Sequence, residues 1–279
     1  MIEILIHFEF MRHALISGLI IGFLAPLLGV FLVVRRLSMI ADALSHVTLT
    51  GIAFNLLLAK YVGFFAGLNP VYMGMGFSVA GALIIERLRK SYRFYQELPI
   101  PIILSTGIGL GVVFISIANG FNVDLFNYLF GSIIAITRTD RNTIMVIGAV
   151  VLLVVTLLYK ELFSLSFDDE HARITGIPRK WINLVFTILV ALVIASAMRI
   201  VGILLVSALM VLPVAASIQL ANSFKQTFIY AILFGELAVI LGLYCSYTFN
   251  LAPGGTIVVI AFLILITVLG VKKWVIKTD

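Results

Sequence analysis

Long apolar runs, cut at intervals by short polar stretches, make up most of this chain. The runs are roughly 18 to 24 residues long, the length a helix needs to cross a bilayer. Regular apolar/polar alternation is absent, which excludes a transmembrane β-barrel. The pattern predicts spans over about 11–34, 38–60, 63–85, 99–118, 143–159, 181–197, 200–220, 227–247 and 254–271. Gly22, Pro26 and Gly29 predict a bend in the first. Gly67, Gly74, Gly76 and Gly81 in the third suit close helix packing. Segment 124–136 is mixed and too short to cross. It is predicted as a re-entrant or short helix, which must be buried in protein or line a cavity. The expected fold is an all-α polytopic membrane protein, one transmembrane domain over 1–279, with about nine spans (range about 8 to 10) plus that short element.

Composition strengthens this picture. The chain is 62% hydrophobic and 11% charged, with a mean hydropathy of +1.19, whereas a soluble domain carries about 25% charged residues. The net charge of +6 is no nucleic-acid signal, because basic residues in membrane proteins gather in cytoplasmic loops. Arg35-Arg36, the loop Arg87 to Arg93, the segment Lys160 to Lys180, Lys225 and the tail hold 14 of the 19 Lys and Arg residues. Placing them together on the inside predicts a plasma-membrane protein with its N-terminus outside and its C-terminus cytoplasmic. Parity then allows a single crossing between Asn119 and Lys160, so 124–136 does not cross. Met1 to Arg12 lacks the form of a cleavable signal, since Glu3 and Glu9 stand where a basic region belongs. Cys245 is the only cysteine, so no intrachain disulfide or cysteine metal cluster is available.

Candidate chemistry centres on Asp42 and His46 in the second predicted span. Four residues apart, they share one helix face. His46 lies roughly 15 Å along the helix from Arg36, near mid-membrane. Ionisable residues there are rare and mark functional sites. Two readings stand: a hydrogen-bonded structural pair, or ligands for a divalent ion such as zinc or manganese. Two ligands make a weak site; a symmetric dimer with this helix at its axis would supply four.

The polar segment 160–180 is the second candidate. Asp168, Asp169, Glu170, His171, Ala172 and Arg173 read as a short helix, acids first, capped by Gly176. It is either an ordinary loop helix or an acidic docking surface for a soluble partner. Glu236 in the eighth span is a hydrogen-bonded carboxyl or part of an ion path. Asp124 and Asn127 either serve turn chemistry or line an outer mouth. His7 and His13 are incidental surface histidines or a metal-capture pair, and Arg199, between two spans, is expected to anchor to headgroups.

Arg35-Arg36-Leu37-Ser38 followed by Asp42-Ala43-Leu44-Ser45-His46 resembles the second-helix signature of the permease subunit of bacterial ABC-type zinc and manganese importers. Residues 169–177 resemble that family's coupling segment, 201–213 its late signature, and Pro253-Gly254-Gly255-Thr256 the start of its last span. The resemblance runs end to end and in order. It implies a type II ABC importer-like permease: a homodimer with a translocation path on the two-fold axis. A cytoplasmic ATPase would dock on the coupling helices, and an extracellular metal-binding protein or lipoprotein would deliver the ion. It also implies that Asp42 and His46 form the metal site, that Zn2+ or Mn2+ is cargo rather than a bound cofactor, and that 166–177 carries the coupling role.

The expected function is thus a permease subunit moving a divalent metal by alternating access, zinc favoured over manganese. Gly-x4-Gly-Lys-Ser/Thr is absent, so ATP hydrolysis would belong to another chain, and this chain would be no enzyme. The alternative is a gradient-driven carrier in which Asp42, His46 and Glu236 relay protons. An intramembrane metalloenzyme is disfavoured, because His-Glu-x-x-His is absent.

Overall fold

The computed structural model describes residues 9–92, 94–95, 97–118, 123–167, 172 and 174–276. Twelve helices follow one another among them: α1 Glu9–Val34, α2 Met39–Tyr61, α3 Gly63–Ala66, α4 Pro70–Ser91, α5 Pro99–Ile117, α6 Val123–Phe130, α7 Arg138–Leu157, α8 Tyr159–Phe167, α9 Arg179–Val201, α10 Ile203–Leu220, α11 Phe224–Phe249 and α12 Pro253–Ile276. Nine of these, α1, α2, α4, α5, α7, α9, α10, α11 and α12, are long and apolar enough to cross a membrane. That is the predicted number. The eight residues of α6 reach only about 12 Å.

Among the starts that differ from the predicted ones, three have a clear local reason. The third span begins at Pro70 rather than near 63. Asn69 accepts from Val71 N at 3.1 Å and Pro70 occupies the first turn, so a new helix starts there. The polar run 137–142 belongs to α7 and not to a loop. Thr137 accepts from Asp140 N at 3.2 Å and Asp140 Oδ2 accepts from Thr137 N at 2.9 Å, a capping box. Gly202, at φ +81 and ψ 151, separates α9 from α10. Only glycine occupies that backbone region without strain.

Helix α2 sits inside the bundle, packed against α4, α5, α9 and α10. Glycines allow the closest of these approaches. A Cβ on Gly107 of α5 would stand 3.1 Å from Val47 Cγ2 and 3.2 Å from Val47 N. On the α4 side, Gly74 and Gly81 meet Thr48 and Val47 in the same way. A second seam joins α1 to α11, where a Cβ on Gly235 would lie 2.5 Å from Pro26 Cγ and 2.6 Å from the Gly22 carbonyl oxygen. At the α6 end, three glycines bring backbone against backbone. Gly131 abuts Ile200 O, Gly202 abuts Leu129 O, and Gly254 abuts Val201 O. The short helix is therefore clasped by the α9–α10 junction and the start of α12.

Candidate metal site

Helix α2 is launched by a tight turn. Val34 ends α1, Arg36 takes the left-handed region at φ +57, and Leu37 N donates to Leu32 O at 2.7 Å. Three residues into α2 comes Asp42, with His46 one turn later. Ala41, Ala43, Leu44 and Ser45 around them are buried, whereas Asp42 and His46 are half-buried on one side with Leu49, below the exposed Met39. These four positions fall on one helix face. Their spacing presents a carboxylate and an imidazole on a face that the neighbouring helices leave partly exposed.

The polar residues on the other faces are satisfied locally. Ser45 Oγ donates to Ala41 O at 2.8 Å and Thr48 Oγ1 to Leu44 O at 2.6 Å. Thr50 Oγ1 bonds both His46 O at 3.0 Å and Gly107 O at 2.6 Å, tying the His46 turn to α5. Asp42 and His46 make no side-chain hydrogen bond or ion pair among the described residues. Nor does any group of three or more His, Cys, Asp or Glu that could hold a metal ion occur among them. A carboxylate and an imidazole alone make half of a tetrahedral shell.

The basic end of α2 meets the coupling region. A cleft of about 270 Å³ is lined by Arg35, Arg36 and Arg89 together with Ser166 and Phe167 of α8 and Arg179 of α9. Arg35 Nη2 donates to Asn183 Oδ1 at 2.5 Å, and its guanidinium lies 5.6 Å from the Phe186 ring centroid. Of the predicted coupling residues, Asp168, Asp169, Glu170, His171 and Arg173 lie outside the described residues. Ala172 is fully buried, and its carbonyl accepts from Ile177 N at 3.1 Å while Gly176 takes φ +80. The helix expected over 168–173 otherwise lies outside the described residues.

The other candidates are dispersed. Glu236 faces Gly22 in the α1–α11 seam rather than the α2 stripe, and its Oε2 is buried with no hydrogen-bond partner among the described residues. Asp124 lies on α6, its side chain outside the described set, and His7 also lies outside it. His13 is buried, not on the surface, with Nδ1 3.2 Å from Arg141 Nη1 and Nε2 3.6 Å from Glu9 Oε1. A guanidinium at that distance opposes capture of a cation.

Arg199 departs most from expectation. It does not reach for headgroups. Its Nη1 donates to Ala135 O and to Asp140 Oδ2, both at 2.9 Å, and its Nη2 to Tyr128 Oη at 2.8 Å. Asn69 Nδ2 completes the Asp140 shell at 2.9 Å. Four helices and the 131–137 connection meet here. The capping-box spacing of Thr137 and Asp140 was the one signal in the sequence that pointed to it.

The chain matches the ABC 3 transport family over residues 7–272. It is 33% identical over 263 residues to the manganese transport system membrane protein MntC of Listeria monocytogenes, covering 94% of this chain and 91% of that one. The manganese import system permease protein ScaB of Streptococcus gordonii is 33% identical over 257 residues, covering 92% and 89%. Among solved structures, PsaBC from Streptococcus pneumoniae in complex with Fab superposes with a TM-score of 0.82 at 32% identity, over 96% of this chain and 93% of that one. By sequence and by fold, this chain belongs to the ABC 3 transport family.

Proposed function

We infer that two copies of this chain hold a divalent metal ion between their paired Asp42 and His46 side chains and pass it inward by alternating access. The chain is a multi-pass membrane protein and the permease of an ATP-driven metal importer; it is not an enzyme, and ATP is hydrolysed on a separate subunit. One observation carries the metal-site reading. The half-shell of Asp42 and His46 lies on a face of α2 that the protomer leaves partly exposed. A two-fold axis beside that face supplies the other half. Two carboxylates and two imidazoles without thiolate hold such an ion firmly enough to select it and loosely enough to release it.

The partners are a second copy, cytoplasmic ATPase subunits on the coupling segment 160–180, and an extracellular metal-binding protein or lipoprotein. Supporting this, Ser166 and Phe167 share a cleft with Arg35 and Arg36, which stand within seven residues of Asp42. A displacement of the coupling segment therefore has a short route to the metal-bearing turn. The positive-inside distribution of Lys and Arg supports an outer N-terminus and a cytoplasmic C-terminus. The names of MntC and ScaB favour manganese as cargo, and the general order of affinities favours zinc.

The test is metal uptake by cells carrying Asp42→Ala or His46→Ala, with both metals measured by mass spectrometry. Each variant should fall to background for one metal while the complex with the ATPase still purifies. Normal uptake by both variants would sink the site. Reversing Asp169 and Glu170 to Lys should weaken ATPase docking; an intact complex with coupled hydrolysis would refute that role.

A further inference from the structure

Glu236 stands halfway along the 26 residues of α11, at the middle of a membrane span. Its Oε2 is buried with no hydrogen-bond partner among the described residues. A carboxylate held out of water without a partner is among the costliest groups a membrane helix can carry. Leu233 and Leu237, close to it on α11, are exposed on the outside of the protomer. The carboxyl therefore sits in a seam that borders an apolar surface.

No countercharge faces it. Helix α11 packs chiefly against α1, α10 and α12. On α1 the charged and titratable groups are Glu9, Arg12 and His13. The nearest to Gly22 of these, His13, is about 14 Å away along the helix. Helix α10 carries none, and α12 only Lys272 and Lys273 near its end. On α11 itself Lys225, Tyr230, Tyr244, Cys245 and Tyr247 all stand more than a turn from Glu236.

The seam does hold an acceptor. Pro26 has no N–H, so the Gly22 carbonyl on α1 loses its helical donor. That oxygen lies against α11: a Cβ on Gly235 would stand 2.6 Å from it. Glu236 is the next residue, and its Cδ lies 3.5 Å from where a Cβ of Gly22 would be. A carbonyl freed by proline inside a membrane is satisfied by groups on neighbouring helices. A protonated carboxyl supplies the O–H donor this one lacks. A carboxyl and one carbonyl are too few oxygens for a metal shell, and no group of three or more His, Cys, Asp or Glu that could hold a metal occurs among the described residues.

We propose that Glu236 and the Gly22 carbonyl form a proton-binding site inside the membrane. The proton rests on the Glu236 carboxyl, whose O–H donates to Gly22 O. The site is separate from Asp42 and His46, which lie on α2. Proton occupancy lets α1 and α11 close on each other without burying a charge. A seam that opens to water gives the proton up to it, and one that closes takes a proton back.

The test uses the full-length permease in lipid nanodiscs at neutral pH and reads the infrared band of protonated carboxyl groups. The wild type should show the band, and glutamate labelled with carbon-13 at its carboxyl should shift it. Glu236→Gln, which keeps the side-chain length and a donor for Gly22 O, should remove the intensity of one carboxyl per chain. Pro26→Ala returns an N–H to Gly22 O and should move the band by competing for the acceptor. Dicyclohexylcarbodiimide couples to protonated carboxyls in apolar surroundings. It should label Glu236 in the wild type, as located by peptide mass spectrometry, which covers the case in which a variant fails to fold. A wild type without a protonated-glutamate band overturns the proposal. So does a band that Glu236→Gln leaves whole, one that Pro26→Ala leaves in place, or a wild-type Glu236 that takes no label.

Discussion

Arg199 donates through Nη1 to Asp140 Oδ2 at 2.9 Å, and this pair joins the last turn of α9 to the first turn of α7. The Asp140 side chain is 5% exposed and that of Arg199 20%. The same carboxylate caps α7 and receives Asn69 from the start of α4, so one group sets the relative position of three helix ends.

Asp140→Ala should therefore destabilise the permease by roughly 3 kcal/mol, because it strands a guanidinium inside the fold. Replacing Arg199 by Met in the same background removes the stranded charge. The double variant should recover part of the loss, a coupling of about 1–3 kcal/mol. Unfolding by SDS titration of the purified permease measures both. Equal stability of the two variants would mean that the pair does not hold these ends together.

Glycine 107 should be sensitive in a way that Gly109 is not. A Cβ at 107 meets Val47 Cγ2 at 3.1 Å and stands 3.4 Å from the His46 carbonyl carbon, whereas a Cβ at 109 meets nothing within 4 Å. Gly107→Leu should push α2 away from α5 at the His46 turn, at a cost of about 1–3 kcal/mol, and cut metal uptake at least tenfold. Gly109→Ala should leave both stability and uptake unchanged. Uptake by the two variants at matched expression checks this.

The glycines around α6 should divide by surroundings. A Cβ on Gly202 would lie 2.4 Å from Leu129 O, and one on Gly254 1.7 Å from Val201 O, both backbone atoms that cannot swing aside. Either Ala substitution should abolish recovery of folded permease. Gly176 also has a positive φ, +80, but open space around it. Gly176→Ala should cost only about 1–2 kcal/mol of backbone strain and spare folding while loosening the coupling segment. Size-exclusion profiles of the three variants separate the cases.

The nine spans were legible because apolar run length alone identifies a membrane helix, and Asp42 and His46 because ionisable side chains stand out in such runs. The stretches 201–213 and 253–256 were legible only as likeness to a family; the structure supplies their physical reason, since Gly202 and Gly254 are where backbones close on α6. Arg199 was misread because its partners, Tyr128, Ala135 and Asp140, lie 59 to 71 positions away. Periodicity reports a residue's own helix and is silent on the helix it meets.

Orientation can be tested on this geometry. The 23 residues of α2 reach about 35 Å, enough to put its ends on opposite membrane faces. Val62 follows α2 directly and is 46% exposed; Phe94, between α4 and α5, is 95% exposed. Helix α4 runs from the Val62 end toward the Phe94 end, so the two residues report opposite sides. With Cys245 replaced by Ser, a single cysteine placed at 62 should react with a membrane-impermeant maleimide on intact cells. A cysteine at 94 should react only after the membrane is opened. The charge distribution demands this order, since Arg87, Arg89 and Lys90 flank position 94. The reverse order would turn the permease over, moving Arg35 and Arg36 outside and separating the coupling segment from any cytoplasmic ATPase.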